Sequence, residues 1–226
     1  MAHGWIHDVN VVLVEPHPIL DAGAFITRFP NALGELAASP AILALAELGA
    51  SAPLATSEAV KTAVRDLLRH GGFKPSGRSK PASEYLTAAV TEGRFPRINA
   101  GVDACNVVSL HSGLPISLVD LDRVDCLDTS GALAIRIAPP ATSYVFNPSG
   151  QTIDASGLVC LYDAQGPTGT PVKDAQRTKT HDETRATITI VWGTRALPDR
   201  TRQTAAWYRE LLATIDGVTT EDVSLT

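Results

Sequence analysis

Cysteine is scarce in this chain, and the motifs that usually announce metal or nucleophilic chemistry are missing. Cys105, Cys126 and Cys160 are the only three cysteines, an odd number without a Cys-x-x-Cys pair. That argues against a disulfide framework or thiolate zinc site and for reduced, buried thiols. The histidines at 3, 7, 17, 70, 111 and 181 are scattered, with no His-x-x-x-His or His-Glu-x-x-His spacing, so no metal or other cofactor is expected. There is no Gly-x-Ser-x-Gly elbow, and Ser109 or Ser112 beside His111 would sit on one helix at unsuitable spacing for a triad. The run from Gly166 to Lys173 has no Gly-Lys-Ser/Thr, and its prolines remove amide donors, so it reads as a loop rather than a phosphate cradle. No apolar run approaches the ~20 residues of a bilayer span. The first residues lack a cationic start and a long apolar core, so neither a secretory signal nor a membrane partner is expected, and the cytoplasm is the expected location.

What remains is an ordinary globular composition. The chain has 226 residues, 44% apolar and 19% charged, and no internal repeat, consistent with one domain over 1–226. Its net charge of −5 argues against broad nucleic-acid binding and against DNA as a partner. Charge is uneven, however. From Arg65 to Arg97 seven basic residues face three acids, and this stretch is either a solvated surface or a phosphate contact.

Periodicity predicts a strand over 9–15, ended by Pro16 and Pro18, and one or two alanine-rich helices over 32–48, broken near Ser39 and Pro40. Ser57 is placed to cap a helix running to His70 and stopped by Gly71 and Gly72. Pro81 suits the first turn of a helix reaching Thr91, and a further helix spans 103–111, ended at Gly113. Strands follow at 116–121, 133–138, 158–163 and 186–192, with a long loop over 164–173. An amphipathic helix over 201–215 turns Ala205, Tyr208, Leu211 and Leu212 inward. Helices first and strands later predict an α+β fold, a mixed or antiparallel sheet covered by helices.

Two segments stand out. The first reads R-x-N-x-x-x-D-x-x-N-x-x-x-L-x-x-G-x-P, filled by Arg97, Asn99, Asp103, Asn106, Leu110, Gly113 and Pro115. The second, Asp174 to Arg185, is a polar loop with Thr178, Thr180 and the Glu183, Thr184 pair ahead of a strand. Together they resemble the editing module of the phenylalanyl-tRNA synthetase beta chain and its free-standing bacterial relatives. The resemblance covers about 57–193, with 1–56 completing the fold and 194–226 closing it. It implies the α+β architecture of that module and a trans-editing aminoacyl-tRNA deacylase, with no synthetase catalytic domain present. The implied partner is the acceptor end of a mischarged tRNA, with transient contact to a synthetase. A non-catalytic binding module for tRNA or an amino acid, or an accessory domain docking on a synthetase, is the alternative.

An aminoacyl ester is already reactive, so a deacylase of this kind works by holding it beside water and stabilising the oxyanion. The resemblance places Asn106, Ser117, Thr180 and Thr184 in catalytic positions. Cys105 stands where the family has threonine, and Ser117 where it has a histidine. The final strand lacks the acid that reads a tyrosine hydroxyl, which disfavours tyrosyl-tRNA. Asn99, Asp103, Cys105, Asp120, Asp174, Arg177, Thr178 and Glu183 are expected around the substrate, and Arg78, Lys80, Arg94, Arg97, Lys179 and Arg185 against tRNA. Asn99, Asp103 and Asn106 would equally serve as caps and backbone anchors of one helix. Some free-standing relatives remove canavanine from arginine tRNA. Asp174, Asp120 or Glu183 could receive a cationic side chain. A pocket containing such an acid would suit canavanine, whose less basic guanidinooxy group can enter neutral while the charge of arginine is left not fully compensated.

Overall fold

The computed structural model describes residues 9–47 and 49–226. The expectations resting on 1–8, including His3, His7 and the absent leader, and on Leu48 lie outside the described residues. The architecture is α+β, with helices on mixed and antiparallel sheets. In chain order the elements are β1 (Val11–Val14), β2 (Leu20–Arg28), α1 (Pro40–Ala44), α2 (Glu58–Arg69), α3 (Ala82–Thr91), α4 (Ala100–Ser112), β3 (Ile116–Asp120), β4 (Ala132–Ile137), β5 (Ser143–Val145), β6 (Thr152–Asp154), β7 (Val159–Asp163), β8 (Gly166–Gly169), β9 (Ala186–Thr194), α5 (Arg200–Leu212), β10 (Thr219–Asp222) and β11 (Ser224–Leu225).

One sheet has the order β11-β1-β4-β7-β8, the other β10-β2-β9-β3, and β5 pairs with β6 in a hairpin. β1 runs parallel to both β4 and β11, and the remaining pairs are antiparallel. Strand β9 is the spine of the second sheet. β2 and β3 pair with its two edges, and all nine of its residues are buried, with α5 and α2 among the elements packed against it. Its Ile188, Ile190 and Trp192 share a face with Ser117 and Val119 of β3, as the register Ser117↔Ile190 and Val119↔Ile188 requires. Gly169 lets β8 close on that face, since a Cβ there would lie 3.0 Å from that of Ser117.

The sequence expectations for α2, α3, α4 and α5 find their helices. Ser57 caps α2 by accepting from the Val60 amide at 3.3 Å, and the Asn99 side chain caps α4 by accepting from Val102 at 2.9 Å. Gly113 ends α4 in the left-handed region (φ 72°), where its missing Cβ also makes room for Thr56 and Val60. α4 is nearly engulfed, with Val107, Val108 and Leu110 fully buried, each side chain stabilising the fold by about 1.5–3 kcal/mol relative to exposure. The region 32–47 is not an alanine-rich helical unit. It forms a short 3-10 turn, Leu33–Glu35, and the five-residue α1, because Ser39 and Pro40 restart the chain. β2 stands where no strand was expected, and the stretch taken for a loop over 164–173 contains β8. Strands therefore precede as well as follow the helices.

Candidate functional site

The two resembling segments do meet. Strand β3 leaves α4 at the Gly113–Pro115 turn, and the 174–185 loop lies along it. The Leu118 amide donates to Asp174 at 3.3 Å, Val119 forms a bridge with Lys179, and the Thr184 hydroxyl donates to Asp120 at 2.5 Å. Their contact is knitted shut by these bonds. The opening lies one step away, between α3, α4 and the Val172–Lys173 turn.

That opening is a hollow of about 540 Å³. Tyr85, Leu86 and Ala89 of α3 form one wall, Asn106 and Ser109 of α4 another, and Pro96, Ile116 and Val172 complete its apolar lining. Arg94 and Lys173 supply the charges, with Glu92 as the lining acid. Arg94 is paired with Glu92. Ser109 donates to the Leu114 carbonyl at 2.8 Å, so its hydroxyl hydrogen is committed. Asn106 reaches the Pro96 carbonyl through its Nδ2 at 3.4 Å, and its Oδ1 accepts nothing among the described residues.

Lys173 divides this hollow from a second of about 450 Å³, lined by Arg78, Phe146, Gln151 and Asp154 among others. Its ammonium lies 4.1 Å from the Phe146 ring centre and 5.6 Å from that of Tyr85, and Lys80 sits 5.3 Å from the same tyrosine. Burial lowers the Lys173 pKa first, and the charges of Arg78 and Lys179 lower it further. No acid pairs with Lys173, Arg78 or Lys80 among the described residues. Tyr144 holds this turn in place, its hydroxyl donating to the Lys173 carbonyl at 2.5 Å beside the Thr170 hydroxyl at 2.9 Å. Lys179 donates to the Phe146 carbonyl at 2.6 Å, and burial lowers its pKa against the pull of Asp174.

Behind the hollow runs a polar web. Ser117 is fully buried. Its hydroxyl accepts from the Trp192 indole at 2.9 Å and donates to the Thr170 carbonyl at 3.2 Å. Asp174 keeps part of its residue surface exposed, but its carboxyl is closed in. Its oxygens receive the amides of Leu118 and Thr170, and burial nevertheless raises its pKa to about 6. Cys105 is not among the lining residues; its buried thiol lies against the Ile116 carbonyl and Tyr208. Burial and then the charge of Asp174 push its thiol up to about 12.

The remaining expected residues separate into scaffold and surface. Asp103 is buried and holds the Arg97 Nε at 2.6 Å and the Ile98 amide at 2.9 Å, so with the Asn99 cap it sets the turn into α4, while the Arg97 side chain remains exposed. Arg177 is engaged by Asp163 at 2.6 and 2.7 Å and by the Gly166 and Pro167 carbonyls, which uses its donors inside the fold instead of on phosphate. Asp120 receives Thr184 and the Asp122 amide, with His181 at 3.6 Å, and cannot reach the hollow to take a cationic side chain. The Thr178 hydroxyl lies 3.4 Å from both the Ala175 carbonyl of its own turn and the Thr168 carbonyl of β8. Thr184 and Ser117, expected at the chemistry, are fully enclosed: Thr184 by the His181 amide and Asp120, which seat the 174–185 loop, and Ser117 on β3 by Trp192 and the Thr170 carbonyl. Glu183 and Arg185 are exposed, away from the hollow's lining. The partly buried Thr180 side chain makes no hydrogen bond among the described residues. Of the residues expected at the site, Asn106 and Arg94 line the hollow, and Arg78, Lys80 and Lys179 gather at its border.

Tyr85, Tyr144, Phe146 and Lys173 were not anticipated. Isolated aromatics and one lysine in a turn carry no spacing signal, and only the fold brings them together. No protein-family model matches this chain, and no curated protein matches it. No cluster of three or more histidine, cysteine, aspartate or glutamate side chains is placed to hold a metal ion among the described residues, and none of their helices is long and apolar enough to cross a membrane.

Proposed function

We propose that this protein is a trans-acting aminoacyl-tRNA deacylase of the synthetase editing type, hydrolysing the ester of a mischarged tRNA in the hollow beside Asn106. One observation carries the reading. The Asn106 carboxamide stands at a hollow of ligand size whose edge is marked by Lys173, a cation without an acid partner among the described residues. An ester placed there has the hollow for its acyl side chain, the Asn106 amide beside its carbonyl, and Lys173, Arg78 and Lys80 for the sugar-phosphate of the terminal nucleotides.

No protein nucleophile is required. Water attacks the carbonyl carbon, the tetrahedral oxyanion forms next to the Asn106 amide donor, and its collapse releases the amino acid while the ribose oxygen leaves with a proton. The ester's neighbouring ribose hydroxyl is available to relay that proton. Cys105 and Cys160, both pushed upward by burial, stay protonated near neutral pH and take no part.

The test is release of labelled amino acid from a panel of correctly and incorrectly charged tRNAs. Acceleration of one mischarged species, reduced at least tenfold by Asn106→Ala in folded protein, is the expected result. No acceleration with any charged tRNA would replace this reading with a non-catalytic binding module. The enclosure of Ser117, which keeps its hydroxyl from orienting a water beside Asn106, is the feature that favours that alternative.

A further inference from the structure

We infer that the hollow beside Asn106 takes an uncharged, apolar aminoacyl side chain and turns away a cationic one; this rests on the deacylase reading and names its substrate class. The walls that a side chain would touch are hydrocarbon: Leu86, Ala89, Pro96, Ile116 and Val172, with the ring of Tyr85. A volume of about 540 Å³ is within the range of small-ligand sites.

Charge decides the class more firmly than shape. Among the described residues, each acid near the hollow that might neutralise a guanidinium or ammonium is already engaged or remote. Glu92, the acid in the lining, is paired with Arg94. Asp174 is closed in behind β3 with the Leu118 and Thr170 amides, Asp120 holds Thr184 and the Asp122 amide, and Asp163 holds Arg177. Lys173 meanwhile stands on the lining without an acid partner among the described residues. A cationic side chain entering here loses water, gains no carboxylate and meets a like charge at the rim, whereas an aliphatic or aromatic one loses only unfavourable contact with water. The arrangement rejects by leaving a charge unpaired, a stronger discriminator than fit to a slightly larger or smaller hydrocarbon group.

The experiment uses non-hydrolysable 3′-aminoacylamido-3′-deoxyadenosines carrying leucine, phenylalanine or arginine, with 3′-amino-3′-deoxyadenosine as the unacylated probe. Binding to the full chain is followed by calorimetry, and hydrolysis of the corresponding charged tRNAs is measured in parallel. The leucyl or phenylalanyl compound should bind at least tenfold tighter than both the arginyl and the unacylated compounds. Ala89→Phe should remove that gain by filling the hollow, and Lys173→Glu should raise affinity for the arginyl compound. Arginyl binding as tight as the apolar arms, no gain from any acyl group, or no binding by any analogue would each overturn the inference. Apolar-selective binding without hydrolysis of any charged tRNA would uphold the hollow's class while removing the deacylase reading.

Discussion

Arg177 clasps the Asp163 carboxylate with both terminal nitrogens, at 2.6 and 2.7 Å, and the carboxylate is completely enclosed. Asp163 also accepts the amides of Asp125, Gln165 and Gly166, so it organises the β7–β8 turn from its centre. The pair fixes the strand that backs the candidate site, and its disruption should be read as instability. Asp163→Ala strips three amides and a guanidinium of their acceptor and should cost about 3 kcal/mol. Arg177→Ala leaves an enclosed carboxylate with its amides but no counter-charge and should cost a similar amount, about 3 kcal/mol. Urea unfolding of the two variants checks both; losses well under about 1 kcal/mol would mean that the pair does not hold the turn.

Asp174 gives a pH signature. Its folded pKa of about 6 lies above the value near 4 expected of the unfolded chain, so the folded state holds the extra proton between those values. Its contribution to stability is therefore greatest below about pH 4, falls as pH rises to about 6, and is level above, a change of about 3 kcal/mol at most. Stability measured by denaturant from pH 4 to 8 should show this fall in the native protein relative to Asp174→Asn. Parallel curves would show that Asp174 titrates normally.

The three thiols should differ in reactivity. Cys105 and Cys160 are buried with raised pKa, whereas Cys126 is partly exposed and less shifted. Alkylation at pH 8 followed by peptide mass mapping should label Cys126 alone in the native protein and all three after unfolding. Native labelling of Cys105 would contradict the packing of α4 against α5 and β3.

Lys173 and Arg78 should report on tRNA by salt dependence. Lys173→Ala and Arg78→Ala should each weaken binding and reduce the slope of log K against log salt by about 1. Arg97→Ala, whose guanidinium is bound to Asp103, should change that slope less. Identical slopes for all three would place the phosphate path elsewhere.

The helices were legible because their ends are written locally. Ser57, Asn99 and Gly113 act through hydrogen bonds or dihedrals spanning three or four residues, which a sequence displays directly. β2 was missed because Asp21, Gly23 and Thr27 interrupt its apolar pattern. It becomes a strand through nine-residue pairing with β9, a partner more than 150 residues downstream. The site was half legible for the same reason. Asn106 lies in the spaced motif and does line the hollow, but that motif does not say which polar residues will be used up internally. Ser117 looked available until the Trp192 indole and the Thr170 carbonyl took its hydroxyl, and Lys173 looked incidental until Phe146 and Tyr85 arrived beside it.

The parallel pairing of β1 with β11 carries a kinetic consequence. Val11 aligns with Ser224 and Val12 with Leu225, while the neighbouring β10 aligns Thr219 with Arg28. During synthesis, the early strands β1 and β2 must wait with one edge each unsatisfied until nearly all of this sequence has been translated. Loops of such length close late and reward their closure only at the end, so the molecule should fold slowly for its size. Until then, those two edges are the places where a nascent chain is most open to pairing with a neighbour.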